Sequence, residues 1–335
     1  MDLSDFRCYL VNRDEQKQVS NSIARQGIDD LFPGEVLIRV AYSSLNYKDA
    51  LAATGHPGVV RNFPHVPGID AAGTVEHSGV PEFAAGDKVL VTGFDLGAAS
   101  WGGYSEFVRV PAGWVVPLPK GLTLRESMIF GTAGFTAAES ISALRLNEVN
   151  ADSGEVLVTG ASGGVGSMAV AMLTKLGYQV VAATGKSSGR EVVETLGASR
   201  VIGREEVVDT SSRPLLSAKW AGAVDTVGGA ILTTAVRSTQ TGGCVTACGM
   251  VAGSDLSMGV FPFILRGITL AGIDSATYPI ERRPALWAQM AGPWRPKDLE
   301  KLVAETVTLD SLNPAIEKIL NAQIAGRVLV EVAGE

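Results

Sequence analysis

From Glu155 to Ile202 the chain alternates between apolar strand-like runs and helical stretches: EVLVTG, VGSMAVAMLTKLG, YQVVAAT, GREVVETLGA and SRVI. The alternation resumes in GAVDTVG, AILTTAVRSTQ, GCVTACGM and ITLAGID. A sequence patterned this way predicts an α/β domain, a parallel sheet with helices on both faces.

The first strand–helix junction is VTGASGGVGSMAV. Glycines there permit positive φ and a close approach of backbone to ligand. The N–H groups that open the helix then face a pyrophosphate favoured by the helix dipole. Gly166, one turn in, lets the helix pack closely on the sheet. The bland alternative is a tight turn in an α/β protein that binds no nucleotide. Gly160-Ala-Ser162-Gly-Gly164 also fits the G-x-S-x-G elbow of serine hydrolases. That chemistry needs a histidine after the serine, and His56, His65 and His77 all precede it. A P-loop fails as well, because no Lys-Ser/Thr pair follows the glycines at the required spacing.

The second strand ends at Thr184-Gly185-Lys186, where dinucleotide-binding units often carry an acid that grips a ribose. Between Val156 and Arg190 there is no Asp or Glu. Lys186 and Arg190, with Ser187 and Ser188, supply charge-assisted donors for a phosphate instead, and Arg204 past the third strand is a further candidate. NADPH carries a 2′-phosphate and NADH does not, so the expected cofactor is NADPH. The alternative is a pair of solvated surface cations.

The 335 residues exceed one ordinary core and predict two domains. A net charge of −7 argues against a general nucleic-acid or anionic-membrane surface. Three cysteines, Cys8, Cys244 and Cys248, make no disulfide framework, and MDLSDFRCYL does not read as a secretory signal. The apolar run 156–174 is broken by glycines and reads as strand, turn and buried helix rather than a membrane span. These readings predict a cytoplasmic setting.

Before about Leu122 the texture is that of a small irregular β domain: EVLIRVAYSSL, DAAGTVEHSG, DKVLVTG and SEFVRVPAGWVVPLP. TLRESMIFGTAGFTAAESISAL carries helical spacing. After Ser275 come two helical stretches, ERRPALWAQMAG and SLNPAIEKILNAQ, and a strand, GRVLVEV. The expected domains are 1–125, 126–275, and a tail, 276–335, returning to the first.

Scattered histidines and cysteines do not supply a zinc site, and no metal is expected. Without a metal, reduction of a C=C bond conjugated to a carbonyl is easier to accommodate than that of a plain ketone. Donors then stabilise the enolate oxygen, and a side chain or water protonates the α-carbon. Asn46-Tyr47-Lys48-Asp49 is a polar cluster placed to open a helix. Tyr47 reads either as a functional donor or as an amphipathic residue at a domain seam.

These pieces together resemble the medium-chain dehydrogenase/reductase superfamily, in its zinc-free quinone-oxidoreductase-like branch. SSLNYKDAL, PHVPGIDAAGTV, WGGYSEFVRV, VTGASGGVG, VDTVGG and AGRVLVEV carry the resemblance. LNYKDALAATG, RNFPHVPGID, MIFGTAGFTA, FPFILRGITLAGIDS and ERRPALW are similar to its NADPH-dependent acrylyl-CoA reductase subfamily. Where zinc-dependent relatives have His-Glu after the glycine of PGID, Ile69-Asp70 stand here. The resemblance implies a GroES-like β domain, a Rossmann domain and a homodimer. It implies Tyr47 by the nicotinamide, as both a cofactor-binding and a catalytic residue, and Asn46 and Asp70 are the other catalytic candidates. It places Ser162, Gly163, Gly164 and Val165 at the pyrophosphate. Thr184, Gly185, Lys186 and Arg204 would hold the adenosine phosphate, and Met250, Ile264, Ser275 and Asn321 would complete the cofactor pocket. The implied reaction is acrylyl-CoA to propionyl-CoA, with Arg61 a candidate for the CoA phosphates. A quinone or other enone acceptor, or a non-enzymatic NADPH-binding role, are the alternatives.

Overall fold

The structure, a computed structural model, describes residues 5–185 and 187–334. The chain begins with an antiparallel hairpin, β1 (Asp5–Arg13) and β2 (Val19–Gly27), which the sequence reading did not anticipate. Strand β3 (Val36–Leu45) follows, then helix α1 (Tyr47–Ala53), and then β4 (Asp70–Ser78), β5 (Lys88–Thr92), β6 (Phe107–Val110) and β7 (Val116–Pro117). Helix α2 runs from Leu124 to Leu146 with a non-helical break at Gly131.

Strand and helix then alternate as expected: β8 (Glu155–Thr159), α3 (Gly164–Lys175), β9 (Gln179–Ala183), α4 (Ser187–Thr195), β10 (Arg200–Ile202), β11 (Trp220–Asp225), α5 (Gly229–Arg237) and β12 (Thr239–Ala247). After α6 (Phe261–Arg266) and β13 (Thr269–Gly272) come α7 (Arg283–Ala291), β14 (Val303–Thr308), α8 (Leu312–Leu320) and β15 (Arg327–Glu331).

The chain divides into two compact units. One comprises 1–132, 276–291 and 303–335; the other comprises 133–275 and 292–302. In the first, a seven-stranded sheet has the order β14-β15-β3-β4-β5-β7, with β6 pairing β3. Its last strand, β15, lies antiparallel to β3, with Val328 opposite Leu45. That pairing brings the C-terminal Arg327 to the end of β3, where α1 begins. Phe6, Leu45, Tyr104, Leu312 and Val330 share one buried cluster there.

In the second unit six parallel strands have the order β10-β9-β8-β11-β12-β13. The order reverses between β8 and β11, and in open α/β sheets ligands bind at the carboxyl ends of the strands beside such a reversal. Leu157, Val181, Ala223 and Val245 of these strands are fully buried, as expected of a parallel sheet covered on both faces.

Candidate functional site

Two polar centres stand out, one in each unit. In the six-stranded sheet the turn after β8 leads into α3, whose N-cap is Gly163 in extended conformation. A β-carbon at Gly166 would stand 2.2 Å from the Gly160 carbonyl oxygen, so only glycine lets the helix approach the turn this closely. The backbone N–H groups at the start of α3 have no partner within the helix and are suited to an anion.

The ends of β8, β9 and β11 converge on this turn. The hydroxyls of Ser162 and Thr184 lie 2.9 Å apart. Arg204, just past β10, lays its guanidinium against Gly185, where an added β-carbon would stand 2.5 Å from Nε. Asp225, at the end of β11, is fully buried and accepts from the Thr159 hydroxyl at 2.7 Å and the Gly228 N–H at 2.7 Å. Burial pushes its carboxyl pKa up. The motif VDTVGG was legible, but the role of Asp225, which ties two adjacent strand ends together, was not.

The other predicted cofactor residues divide. Arg190 lies on α4 and forms an exposed pair with Glu194 at 3.5 Å. Lys186 falls outside the described residues. Ser275 accepts from the Thr136 hydroxyl at 2.7 Å. Met250 and Ile264 are 71% and 69% exposed. Asn321 caps the C-terminus of α8 and donates to the Glu317 carbonyl at 2.9 Å.

The second polar centre lies at the start of α1 in the first unit. Asn46 is the N-cap, and its backbone N–H donates to Asp49 Oδ2 at 2.8 Å. Tyr47 is the first helical residue and is 44% exposed. Asp70 is wholly buried and accepts from Ser44 Oγ (2.5 Å), Asn46 Nδ2 (2.8 Å) and Thr132, through both N–H (2.9 Å) and hydroxyl (2.6 Å). Asp49, also wholly buried, accepts from the Gly68 and Ile69 N–H groups at 3.1 and 2.8 Å. Burial first, and then the neighbouring Asp70, raise its pKa to about 7. Arg327 is nearly inaccessible and donates to Ser44 Oγ at 2.8 Å, Asn46 Oδ1 at 3.1 Å and the Ile129 carbonyl at 3.0 Å.

Gly131 makes room for this centre. Its φ is +50°, and a β-carbon there would stand 2.6 Å from Asp70 Oδ2 and 2.8 Å from Ser44 Oγ. The same break turns the Thr132 N–H toward Asp70 rather than into the helix. Asn46 and Asp70 thus come together at the start of Tyr47's helix. Ser44, Thr132 and Arg327 join them from segments that read only as strand or helix. Arg61 is exposed. Among the described residues no group of three or more His, Cys, Asp or Glu is arranged to hold a metal ion.

The chain matches the Alcohol dehydrogenase GroES-like domain over residues 32–120 and the Zinc-binding dehydrogenase domain over 164–291. The acrylyl-CoA reductase AcuI of Ruegeria pomeroyi (strain DSS-3) is 44% identical over 98% of this chain and 99% of its own. The Bacillus subtilis (strain 168) protein named "Putative quinone oxidoreductase YhfP" is 46% identical over 94% of this chain and 95% of its own. Its crystal structure with NAD bound superposes with TM-score 0.95 over 98% of this chain and 99% of that one. The yhdH oxidoreductase of Salmonella enterica in complex with NADP, 44% identical, superposes with TM-score 0.93 over 97% and 99%.

Proposed function

The chain belongs to the medium-chain dehydrogenase/reductase superfamily, in the branch of the acrylyl-CoA reductases and their quinone-oxidoreductase-like relatives, and on that premise we propose that it is an NADPH-dependent reductase of the C=C bond of an α,β-unsaturated acyl thioester. The substrate assignment is acrylyl-CoA, reduced to propionyl-CoA. The observation that carries the cofactor half of this reading is the end of β9. The Ser162 and Thr184 hydroxyls and the Arg204 guanidinium stand there, and the stretch from Val156 to Arg190 contains no acid. An acid at that strand end would repel a 2′-phosphate, whereas Arg204, Thr184 and Ser162 offer it charge-assisted bonds.

NADPH, when bound, supplies hydride for the β-carbon of the acceptor. The Gly163 N–H is given to the Gly160 carbonyl at 2.9 Å, so the N–H groups of Gly164 and Val165 would hold its pyrophosphate, and Arg204, Thr184, Lys186 and Arg190 its adenosine phosphate. Ser275, Asn321, Met250 and Ile264 are proposed as further cofactor-binding residues. The thioester oxygen gains negative charge in the reaction, and a pre-placed donor stabilises it. Tyr47 is the proposed donor, and its hydroxyl or a water delivers the proton to the α-carbon. Asn46 and Asp70 spend their bonding capacity on each other, Asp49, Ser44, Thr132 and Arg327. They act as supports of the Tyr47 helix rather than as proton donors.

NADPH oxidation in the presence of acrylyl-CoA, with propionyl-CoA identified by mass, tests the assignment. No turnover of acrylyl-CoA beside rapid turnover of a quinone moves the acceptor to a quinone, the reading favoured by the name YhfP carries. Tight NADPH binding with no acceptor reduced returns the non-enzymatic reading.

A homodimer is part of the same proposal. Among the described residues strand β13 has a neighbour on one side only, and beside it α6 exposes Phe261, Ile264 and Leu265 at 45%, 69% and 60%. An unpaired edge flanked by apolar side chains is suited to a second copy. Leu265→Glu is expected to shift sedimentation from dimer to monomer, and a wild-type monomer would exclude the dimer. Among the described residues no helix is long and apolar enough to cross a membrane. Cytoplasmic residence, suggested by three free cysteines, is testable by fractionation.

A further inference from the structure

We infer that Arg327, at the start of the C-terminal strand, is a positioning residue that sets the orientation of Asn46 and thereby the first turn of the Tyr47 helix. The inference rests on the functional reading above for its kinetic consequence, but the geometry is independent of it.

Arg327 is 3% exposed; it donates to Ser44 Oγ, Asn46 Oδ1 and the Ile129 carbonyl, and the buried carboxylates of Asp70 and Asp49 offset its charge. Taking a guanidinium out of water costs several kcal/mol. Packing alone would be served as well by an apolar residue of similar volume. The planar fork, by contrast, presents donors in fixed directions, which a flexible ammonium does not. Two of its arms end on the residues that flank Leu45, at the junction of β3 and α1.

The consequence for Asn46 follows from the two-ended amide. With Oδ1 held by Arg327, the NH2 end is directed to Asp70 Oδ2 at 2.8 Å and Asp49 Oδ2 at 3.1 Å. Reversing the amide would turn its NH2 against the guanidinium and its oxygen against two carboxylates. Arg327 therefore selects one orientation. That orientation places Asp49 Oδ2 to accept from the Asn46 N–H at 2.8 Å. The Asn46 carbonyl in turn accepts from the N–H groups of Asp49 and Ala50, at 3.0 and 3.2 Å. Tyr47 sits inside this closed loop of bonds. The segments that contribute are 283 residues apart in the case of Ser44 and Arg327.

The test uses the full chain and two variants. Arg327→Lys keeps the charge and loses the fork, while Ser44→Ala removes one anchor and leaves the guanidinium. Each is assayed with acrylyl-CoA and with a quinone. The NADPH dissociation constant is measured by fluorescence, and amide hydrogen exchange by mass spectrometry. On whichever acceptor the wild type reduces, kcat is expected to fall at least about tenfold in Arg327→Lys and about threefold in Ser44→Ala. NADPH affinity should stay within about twofold. Exchange at Asn46, Asp49 and Ala50 should rise about tenfold or more, with Cys244–Ala247 in the other unit unchanged. Wild-type kcat and exchange in Arg327→Lys overturn the inference. So does a uniform rise in exchange across both units, or an affinity loss equal to the kcat loss, because either assigns Arg327 to general stability. Should Arg327→Lys not fold, Ser44→Ala decides. If the wild type reduces neither acceptor, the functional reading fails, and exchange at the start of α1 alone judges Arg327.

Discussion

The guanidinium of Arg204 rests on Gly185: a β-carbon added to that glycine would stand 2.5 Å from Nε and 2.6 Å from Nη2. This contact puts a cation at the strand end where related folds place a ribose-binding acid. The atoms that crowd an added side chain belong to the far end of a flexible arginine, so the position tolerates a larger residue.

Gly185→Asp is expected to exchange the phosphate preference. The new carboxylate would pair with Arg204 and repel a 2′-phosphate. A charge-assisted bond is worth about 1.5–3 kcal/mol, so NADPH affinity should fall about 10- to 100-fold while NADH affinity holds or improves. Fluorescence titration with both cofactors checks it. Equal losses for the two would remove Arg204 from the phosphate site.

Tyr47→Phe separates chemistry from binding. Loss of a positioned proton donor costs about 10²–10⁴-fold in rate, and kcat for acyl-thioester reduction should fall within that range. The NADPH dissociation constant should not move, because the ring remains. Unchanged turnover would transfer the proton-donor role to water.

Gly131→Ala tests the break in α2. A positive φ and a β-carbon 2.6 Å from Asp70 Oδ2 act together against alanine. Strain of this kind with disruption of a buried network costs about 2–4 kcal/mol. A urea midpoint equal to wild type would mean that the Asp70 centre yields easily to a methyl group.

Asp49 carries a pH signature whose sign follows from burial. Its pKa rises from an ordinary 3.8 to about 7 in the folded chain. The folded state therefore holds this proton more tightly than the unfolded state does. Its contribution to stability is fully present below about pH 4 and is lost as pH rises toward 7. Relative to Asp49→Asn, wild type should lose stability across that window and run parallel above it. Chemical denaturation at several pH values reads the difference, and a parallel course throughout would show that the four N–H donors around Asp49 outweigh its burial.

The alternation from Glu155 to Ile202 was legible because it is local: each apolar run and its following helix are written in consecutive residues, and the strands fall where those runs do. The Gly160–Gly166 turn was legible for the same reason. The N-terminal hairpin was not, since half its partly exposed second strand, VSNSIARQG, is polar and its pairing with β1 supplies what its pattern lacks. TLRESMIFGTAGFTAAESISAL read as one helix. Its break at Gly131 is imposed by Asp70, 61 residues earlier in number, which needs the space and the Thr132 N–H.

By itself, then, the sequence determined the α/β alternation, the anion-binding turn, the missing acid after β9 and the polar corner Asn46–Asp49, because each depends on neighbours in the chain. Only the tertiary structure decided which groups meet Asp70 and Asn46. AGRVLVEV reads as an ordinary closing strand, and nothing local marks Arg327 as different from a surface arginine. Its antiparallel register against β3 carries it into the interior, out of reach of bulk solvent, where it bonds to Ser44, Asn46 and Ile129. Register between distant strands is set by the whole core, and that is information no short stretch of residues contains.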